Sequence, residues 1–137
     1  MTTRIRTLLG SILLLMATMA SAQTVHVTVP FPFVAGSENL PAGDYTIELN
    51  LRKSVMFLRS EDRSGNSVAM SANNSDWART PDKTYAIFQR YGVHYFLAEV
   101  WNQGAGQTLI PGKLERELAS KHSNVEVARV EARLSPR

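Results

Sequence analysis

Glu99 is the residue of this chain whose type and position best suit acid–base chemistry. It alternates in phase with Tyr95, Leu97 and Trp101, so a strand through these residues would turn its carboxyl group toward apolar neighbours. An inward carboxyl group could transfer protons to or from a substrate. Such a group often pairs instead with a cation, and Arg90 on the preceding predicted strand is the candidate. Catalysis by Glu99 and a structural ion pair both stay open.

Residues 106–113 are the second place where the spacing of residues could support chemistry. A glycine loop, Gly112-Lys113 and a predicted helix resemble a phosphate-binding loop, whose amides and lysine cradle phosphates. However, five residues separate Gly106 from Gly112 where the motif has four, and Leu114 stands where a hydroxyl must reach the magnesium ion. We therefore interpret this stretch as a glycine-rich connection into a helix.

The spacing of the other residues in the sequence supports neither a metal site nor a serine nucleophile. His26, His94 and His122 lie on three separate predicted elements and lack the local spacing of metal ligands. The sequence has no G-x-S-x-G elbow for a serine nucleophile. We therefore expect no metal and no cofactor. Whether the protein is an enzyme stays uncertain, with a non-catalytic protein favoured.

The aromatic side chains could contact a ligand or a partner. Most of them concentrate in one predicted hairpin, where a ligand-binding barrel would line its cavity and a sealed core would show the same residues. Trp77 differs because it lies in a polar stretch, where an exposed ring would favour partner or carbohydrate contact and a buried ring would cap the core. The candidate contact residues are Trp77, Tyr85, Tyr91, Tyr95 and Trp101.

Strands must position most of these residues, because period-two alternation dominates the chain. Val25 to Phe33 has one apolar face, and its two prolines place the second half at a sheet edge or in a bend. Tyr45 to Leu51 alternates most clearly, whereas Val55 to Leu58 is apolar on both parities and predicts a strand covered on both sides. Residues 73–83 are predicted as a polar loop. Further strands are predicted over residues 68–72, 84–90, 93–102 and 125–134, the last with a bulge near residue 128.

One stretch has helical spacing. Leu114 and Leu118 lie four residues apart among charged neighbours, which predicts a short amphipathic helix near the C-terminus. Gly104 to Gly106 breaks the strand pattern before it. The sequence thus predicts an all-β fold, a single antiparallel β-barrel or β-sandwich of about seven strands with one short helix.

Residues 1–22 have the layout of a secretory signal peptide. Arg4 and Arg6 precede an apolar run from Leu8 to Ala20, and Ala20-Ser21-Ala22 forms an A-x-A cleavage site. The predicted domains are the signal peptide over residues 1–22 and a β-domain over residues 23–137. We therefore expect a periplasmic or extracellular protein that keeps no stable membrane anchor after cleavage.

Composition excludes several classes of function. The chain has no cysteine, which rules out disulfides, thiol catalysis and a lipid-modified cysteine. All twelve acidic residues and thirteen of the fifteen basic ones follow position 22, so the mature net charge is +1. No basic run exceeds Arg52-Lys53, so we expect no nucleic-acid partner.

Three ordered motifs resemble an uncharacterised family of small exported β-proteins common in Acidobacteria. They are residues 29–33 (VPFPF) with residues 40–47 (LPAGDYTI), residues 95–101 (YFLAEVW), and residues 115–119 (ERELA). The resemblance spans nearly the whole mature chain and implies an exported β-fold without supplying a catalytic residue. Pro111-Gly112-Lys113 departs from the serine cap that the resemblance implies at the start of the helix.

These observations favour an exported soluble β-domain that acts by binding or interaction. The alternatives are a carrier of a small apolar ligand in a barrel cavity, or an enzyme that uses Glu99 as acid or base. A protein partner and a small apolar ligand are both compatible with the sequence.

Overall fold

The structure, a computed structural model, describes residues 23–62, 64–76 and 83–134. These residues form ten strands and one helix. In chain order they are β1 (Gln23–Val29), β2 (Phe33–Ala35), β3 (Glu38–Leu40), β4 (Gly43–Asn50), β5 (Val55–Ser60), β6 (Ser67–Asp76), β7 (Tyr85–Tyr91), β8 (His94–Asn102), β9 (Ala105–Leu109), α1 (Lys113–Lys121) and β10 (Glu126–Leu134).

Eight of the strands close an antiparallel barrel. Around the barrel the order is β1, β4, β5, β6, β9, β8, β7, β10 and back to β1. The remaining two strands form a small hairpin, β2–β3, which joins β8 through a parallel pairing of Val34 with Phe96. The predicted all-β class with one short helix is confirmed, and of the two predicted architectures the chain adopts the barrel.

The inward-pointing side chains of the alternating strands fill the barrel interior. Val25, Val27 and Val29 of β1 are buried, and so are Tyr45 and Ile47 of β4, because every second side chain of these strands points inward. β1 ends before Pro30, whose ring offers no N–H to a neighbouring strand. The chain then bends and resumes as β2, as the two prolines predicted.

Four predictions about individual strands were wrong. β5 is covered on one side only, since Phe57 is 41% exposed between buried neighbours. β6 continues through Asp76, into the predicted loop. β9 begins within the glycine stretch that was interpreted as a break. The bulge predicted near residue 128 is also wrong, because β10 pairs with β7 in an unbroken register from Glu126 to Glu131.

A bulge occurs in β8 instead. Phe88 of β7 faces Leu97, whereas the preceding Ile87 faces Glu99, so Ala98 is the extra residue on β8. The side-chain parity of β8 therefore changes at Ala98. Leu97 and Val100 both belong to the core cluster, which leaves Glu99 and Trp101 on the outer face.

α1 connects β9 to β10 and packs outside the barrel. It begins at Lys113, with Gly112 at the N-cap position and no side-chain cap. Leu118 packs against a small cluster of Val34, Tyr91 and Phe96. The predicted apolar pair is only half correct, because Leu114 is 45% exposed and Glu115 is buried in its place.

Candidate functional site

Glu99 makes a local contact on the outer face of β8. Its Oε2 accepts a hydrogen bond from Trp101 Nε1 at 2.8 Å. The expected partner Arg90 is engaged elsewhere: its Nη1 lies 3.2 Å from Glu126 Oε2, and its Nε donates to the Gly92 carbonyl. The bulge at Ala98 explains the difference, because it turns Glu99 away from the side on which Leu97 lies. Whether Glu99 has a catalytic role stays a prediction.

The candidate aromatic residues lie in separate surroundings. Tyr95 stacks on Phe31 with ring centroids 3.9 Å apart. Tyr85 lies beneath the guanidinium group of Arg129, 3.9 Å from the ring centroid. Tyr91 belongs to the cluster under α1, and Trp101 covers part of β9. The structure therefore does not bring these four residues into one cavity, and Trp77 lies outside the described residues.

Rings also occupy the barrel interior. Phe33 contacts Tyr45 and Phe88 edge to face, with centroids 5.1 and 5.3 Å apart. All three belong to the core cluster. A space with room for a ligand lies instead beside β6 and β8, near the end of β9.

β9 fills only part of the space between β6 and β8. It has 5 residues, against 10 in β6 and 9 in β8, and it pairs with residues 72–76 and 99–102 of those strands. Beyond Leu109 the place beside β8 is taken by β2, while residues 67–71 of β6 pair with β5 on their other side. The barrel wall therefore has a seam along this part of β6.

A groove of about 360 Å³ lies over this seam. We call it the seam groove. Its lining has apolar and polar surface in similar amounts, and three lining residues, Met70, Leu97 and Leu109, are members of the core cluster. The groove adjoins a second space of about 500 Å³ between the β2–β3 hairpin and the start of α1, with which it shares four lining residues. The lining residues of the seam groove are Val34, Gly36, Ser37, Val68, Ala69, Met70, Ser71, Phe96, Leu97, Leu109, Ile110, Gly112 and Glu115.

Glycine is required where the β2–β3 turn approaches β6. Gly36 has a φ of +61°, and a Cβ there would lie 3.1 Å from Met70 Cγ. A side chain at this position would be strained and would press on Met70. Gly36 therefore lets the turn form one wall of the seam groove while the groove stays open.

Glu115 is the charged residue of the seam groove, whose other polar side chains are those of Ser37 and Ser71. It is 8% exposed, and no described residue donates a hydrogen bond to its carboxyl group. Burial alone raises its pKa above the ordinary value for glutamate. The hydroxyl of Tyr91 is close enough that the Glu115 carboxylate adds to the effect of burial in raising the pKa of that tyrosine. A carboxyl group in this position can accept a hydrogen bond from a ligand or pair with a cation.

Sequence reasoning missed Glu115, and the signal for it was slight. An acidic residue in the first turn of a helix is ordinarily a solvated group that interacts with the helix dipole. Its burial depends on Val34 and Phe96, which are distant in sequence and meet only through the parallel pairing of β2 with β8.

A second groove, of about 440 Å³, lies over the paired strands β1 and β4. Several of its polar side chains bond to one another: His26 Nδ1 shares a hydrogen bond with Glu61 Oε1, and Thr46 Oγ1 donates to the same oxygen at 2.9 Å. These bonds, that of His26 first, lower the pKa of Glu61. Thr28 likewise donates to Asp44 at 2.5 Å. The polar side chains at the centre of this outer polar groove are therefore already bonded to one another, unlike Glu115 in the seam groove.

Comparison with known proteins does not assign a function. A scan against protein-family models, a search of the curated proteins and a search of the solved structures each found no match for this chain. Over residues 23–62, 64–76 and 83–134, no helix is long and apolar enough to cross a membrane. Within the same residues, no three histidine or acidic side chains are placed to hold a metal ion.

Proposed function

We propose that this chain is an exported binding protein that holds its ligand in the seam groove. The observation that supports this proposal is Glu115, a residue that is 8% exposed and whose carboxyl group accepts no hydrogen bond from a described residue, in a groove with both apolar and polar lining. Removing a carboxyl group from water costs free energy unless a partner replaces the lost hydrogen bonds. A ligand with an apolar body and a cationic or donor group would supply that partner.

We choose the seam groove because the polar side chains of the two grooves differ in the hydrogen bonds that they already make. In the outer polar groove His26, Thr46 and Glu61 bond to one another, and the His26 and Glu61 side chains are 37% and 38% exposed. A ligand there would compete with water and with existing hydrogen bonds. At Glu115 a ligand would compete with water at the exposed edge of the carboxyl group but with no existing side-chain hydrogen bond, so the same contact should be stronger.

Export is the second part of the proposal and rests on residues 1–22. The basic residues, the apolar run and the Ala20-Ser21-Ala22 site support a mature start at Gln23. The ligand would then be met in the periplasm or the medium. Intact mass and N-terminal sequencing of the protein exported by a Gram-negative host test this start, and retention of residues 1–22 would contradict it.

Three matched probes test the seam groove as a binding site. n-Hexylamine, 1-hexanol and hexanoate have the same apolar chain and differ in the end group. In ¹⁵N-edited NMR titrations of the exported protein at pH 7, hexylamine should shift the amide signals of residues 34–37, 68–71 and 109–115. Hexanoate should have the weakest effect, because its charge opposes that of Glu115.

Glu115→Gln is the decisive variant. It should remove the preference for the amine over the alcohol while leaving the alcohol's apparent affinity within about twofold. Glu48→Gln, a change on the distant strand β4, is the matched control and should preserve the preference. Shifts confined to the outer polar groove, or no shifts at the seam with any probe, would contradict the proposal.

A further inference from the structure

The edge of β6 beside the seam groove has free backbone hydrogen-bonding groups. The Ala72 N–H donates to the Ser54 carbonyl on the β5 side, at 2.9 Å. The Ser71 carbonyl accepts from the Ile110 N–H on the opposite side, at 3.4 Å. Because backbone groups of a strand alternate between its two neighbours, Ala69 and Ser67 also point toward the seam. Within the described residues, neither is paired there with another strand.

A free edge of this kind is normally covered, charged or kept very short, because it can pair with another chain. Here the strand that would cover it, β9, stops at Leu109, and the β2–β3 turn stands beside the edge, where Gly36 approaches the side chains of Val68 and Met70 and residues of both the turn and β6 line the seam groove. The opening therefore combines three features: backbone donors and acceptors along one wall, a floor that includes Met70, Leu97 and Leu109, and the carboxyl group of the mostly buried residue Glu115.

We propose that the ligand of the seam groove is an extended polypeptide segment of a partner protein, which adds to the free edge of β6 as a strand and places a lysine or arginine side chain against Glu115. This inference rests on the proposed function and names the class of ligand. Main-chain hydrogen bonds to Ser67 and Ala69 would supply the common part of the affinity, as in other cases of strand addition.

The two faces of the added strand would meet different surroundings. Side chains that point inward would lie over Met70, Leu97 and Leu109, which favours apolar residues of moderate size. The side chain between them points outward, on the side where α1 carries Glu115. The expected pattern is therefore an apolar residue, a basic residue and an apolar residue in succession.

A pentapeptide of this pattern, acetyl-Thr-Val-Lys-Val-Thr-amide, is the probe. It should bind the exported protein in NMR titrations and slow hydrogen exchange of the Ala69 amide at least tenfold at saturation. Replacing its lysine by norleucine should weaken binding about tenfold, the loss expected for one charge-assisted contact. Replacing it by glutamate should abolish measurable binding.

Protein variants separate the two contacts. Glu115→Gln should weaken the lysine peptide about tenfold and leave the norleucine peptide unchanged, whereas Glu48→Gln should change neither. Strand pairing is tested on the peptide, so that the fold of the protein is not disturbed. Two methylated peptides are compared. One is N-methylated at the two valine amides, and the other at the lysine and second threonine amides, so the two peptides lose donors from opposite edges of the strand. Only one of them should lose binding.

Several outcomes would overturn strand addition. Equal effects of the two methylation patterns would show that the peptide does not pair with an edge. Hexylamine binding at the seam without binding of the lysine peptide would leave the proposed function intact and reject a polypeptide ligand. Slowed exchange of the Ala69 amide without added peptide, appearing only at high protein concentration, would indicate that a second copy of this chain covers the edge.

Discussion

The indole ring of Trp101 lies over Gly106 on the facing strand, where a Cβ atom would stand only 2.5 Å from the ring. Trp101 is 8% exposed although it points to the outer face of the barrel. The glycine is therefore needed for the close approach of an aromatic side chain and does not interrupt the strand. This relationship explains why the glycine stretch from Gly104 to Gly106 leads into β9.

Gly106→Ala should destabilise the protein by about 1–3 kcal/mol, because the added methyl group must displace the indole ring. Trp101→Ala should cost about 3–5 kcal/mol through the loss of buried aromatic surface. The double variant should be more stable than the sum of the two losses predicts, since the methyl group no longer meets a ring. Urea denaturation of the four proteins measures this coupling, and strict additivity would show that the ring does not rest on Gly106.

Glu115→Gln should increase stability at neutral pH. Burial raises the pKa of the folded-state carboxyl group, so the protonated form is favoured by folding. In the wild type, the contribution of the Glu115 carboxyl group to the free energy of unfolding is fully present below the unfolded-state pKa, about 4.3 for glutamate. This contribution is lost as pH rises through the folded-state pKa. The difference in unfolding free energy between Glu115→Gln and the wild type should therefore grow as pH rises from about 3 to 8.

The control for this profile is Glu117→Gln on the same helix. Glu117 is more exposed and lies 4.0 Å from Lys113, so its loss should cost only a few tenths of a kcal/mol. A Glu115→Gln profile that runs parallel to the wild type at all pH values would show that the carboxyl group is not isolated, and the case for a ligand contact would weaken.

The Glu61 carboxyl group should show the opposite pH dependence. Hydrogen bonds from His26 and Thr46 lower its folded-state pKa, so its contribution to stability is present above the unfolded-state pKa and is lost as pH falls through the lowered folded-state value. Thr46→Val removes one donor and should raise the Glu61 pKa in a ¹³C-detected titration. The loss of stability should stay below about 1 kcal/mol because the group is solvated, and an unchanged Glu61 pKa in Thr46→Val would contradict this description of the contacts.

Period-two alternation was sufficient to predict the strands that have one face against the core and the other face toward water. β1 and β4 each present one face to the core, so Val25, Val27 and Ile47 could be assigned inward from the sequence. Alternation could not predict β9, because the buried residues of this strand include Gly106 and Gln107, which do not count as apolar residues in the pattern. Gln107 is wholly buried, and its Nε2 donates to the Asn50 carbonyl and to Asn74, which are partners from other strands.

The candidate site depended still more on contacts between distant parts of the chain. Parity assigned Glu99 to the interior, and a one-residue bulge at Ala98 reversed that assignment without any signal in the local pattern. Glu115 is buried because β2 leaves the bend after Pro32 and pairs with β8 beneath α1. Neither event can be inferred from periodicity, which reports only on neighbours along one strand or helix.

Substitution of Glu99 separates a structural from a catalytic role. Glu99 accepts the hydrogen bond of the Trp101 indole N–H at 2.8 Å. In Glu99→Gln the side-chain oxygen can still accept this bond but has lost its charge, so unfolding should require about 1 kcal/mol less. Glu99→Leu leaves the indole N–H without that acceptor and should cost more than Glu99→Gln does.

The catalytic alternative predicts a different outcome for the same two proteins. If Glu99 transfers a proton, Glu99→Gln should abolish a turnover that the wild type shows in a screen of hydrolase and glycosidase substrates, with little change in the midpoint of unfolding. We expect the first outcome, because the carboxylate is held by the ring beside it on β8 and lies on the opposite face from the core residue Val100. An unchanged or raised midpoint for Glu99→Gln, together with loss of an activity, would assign Glu99 to catalysis.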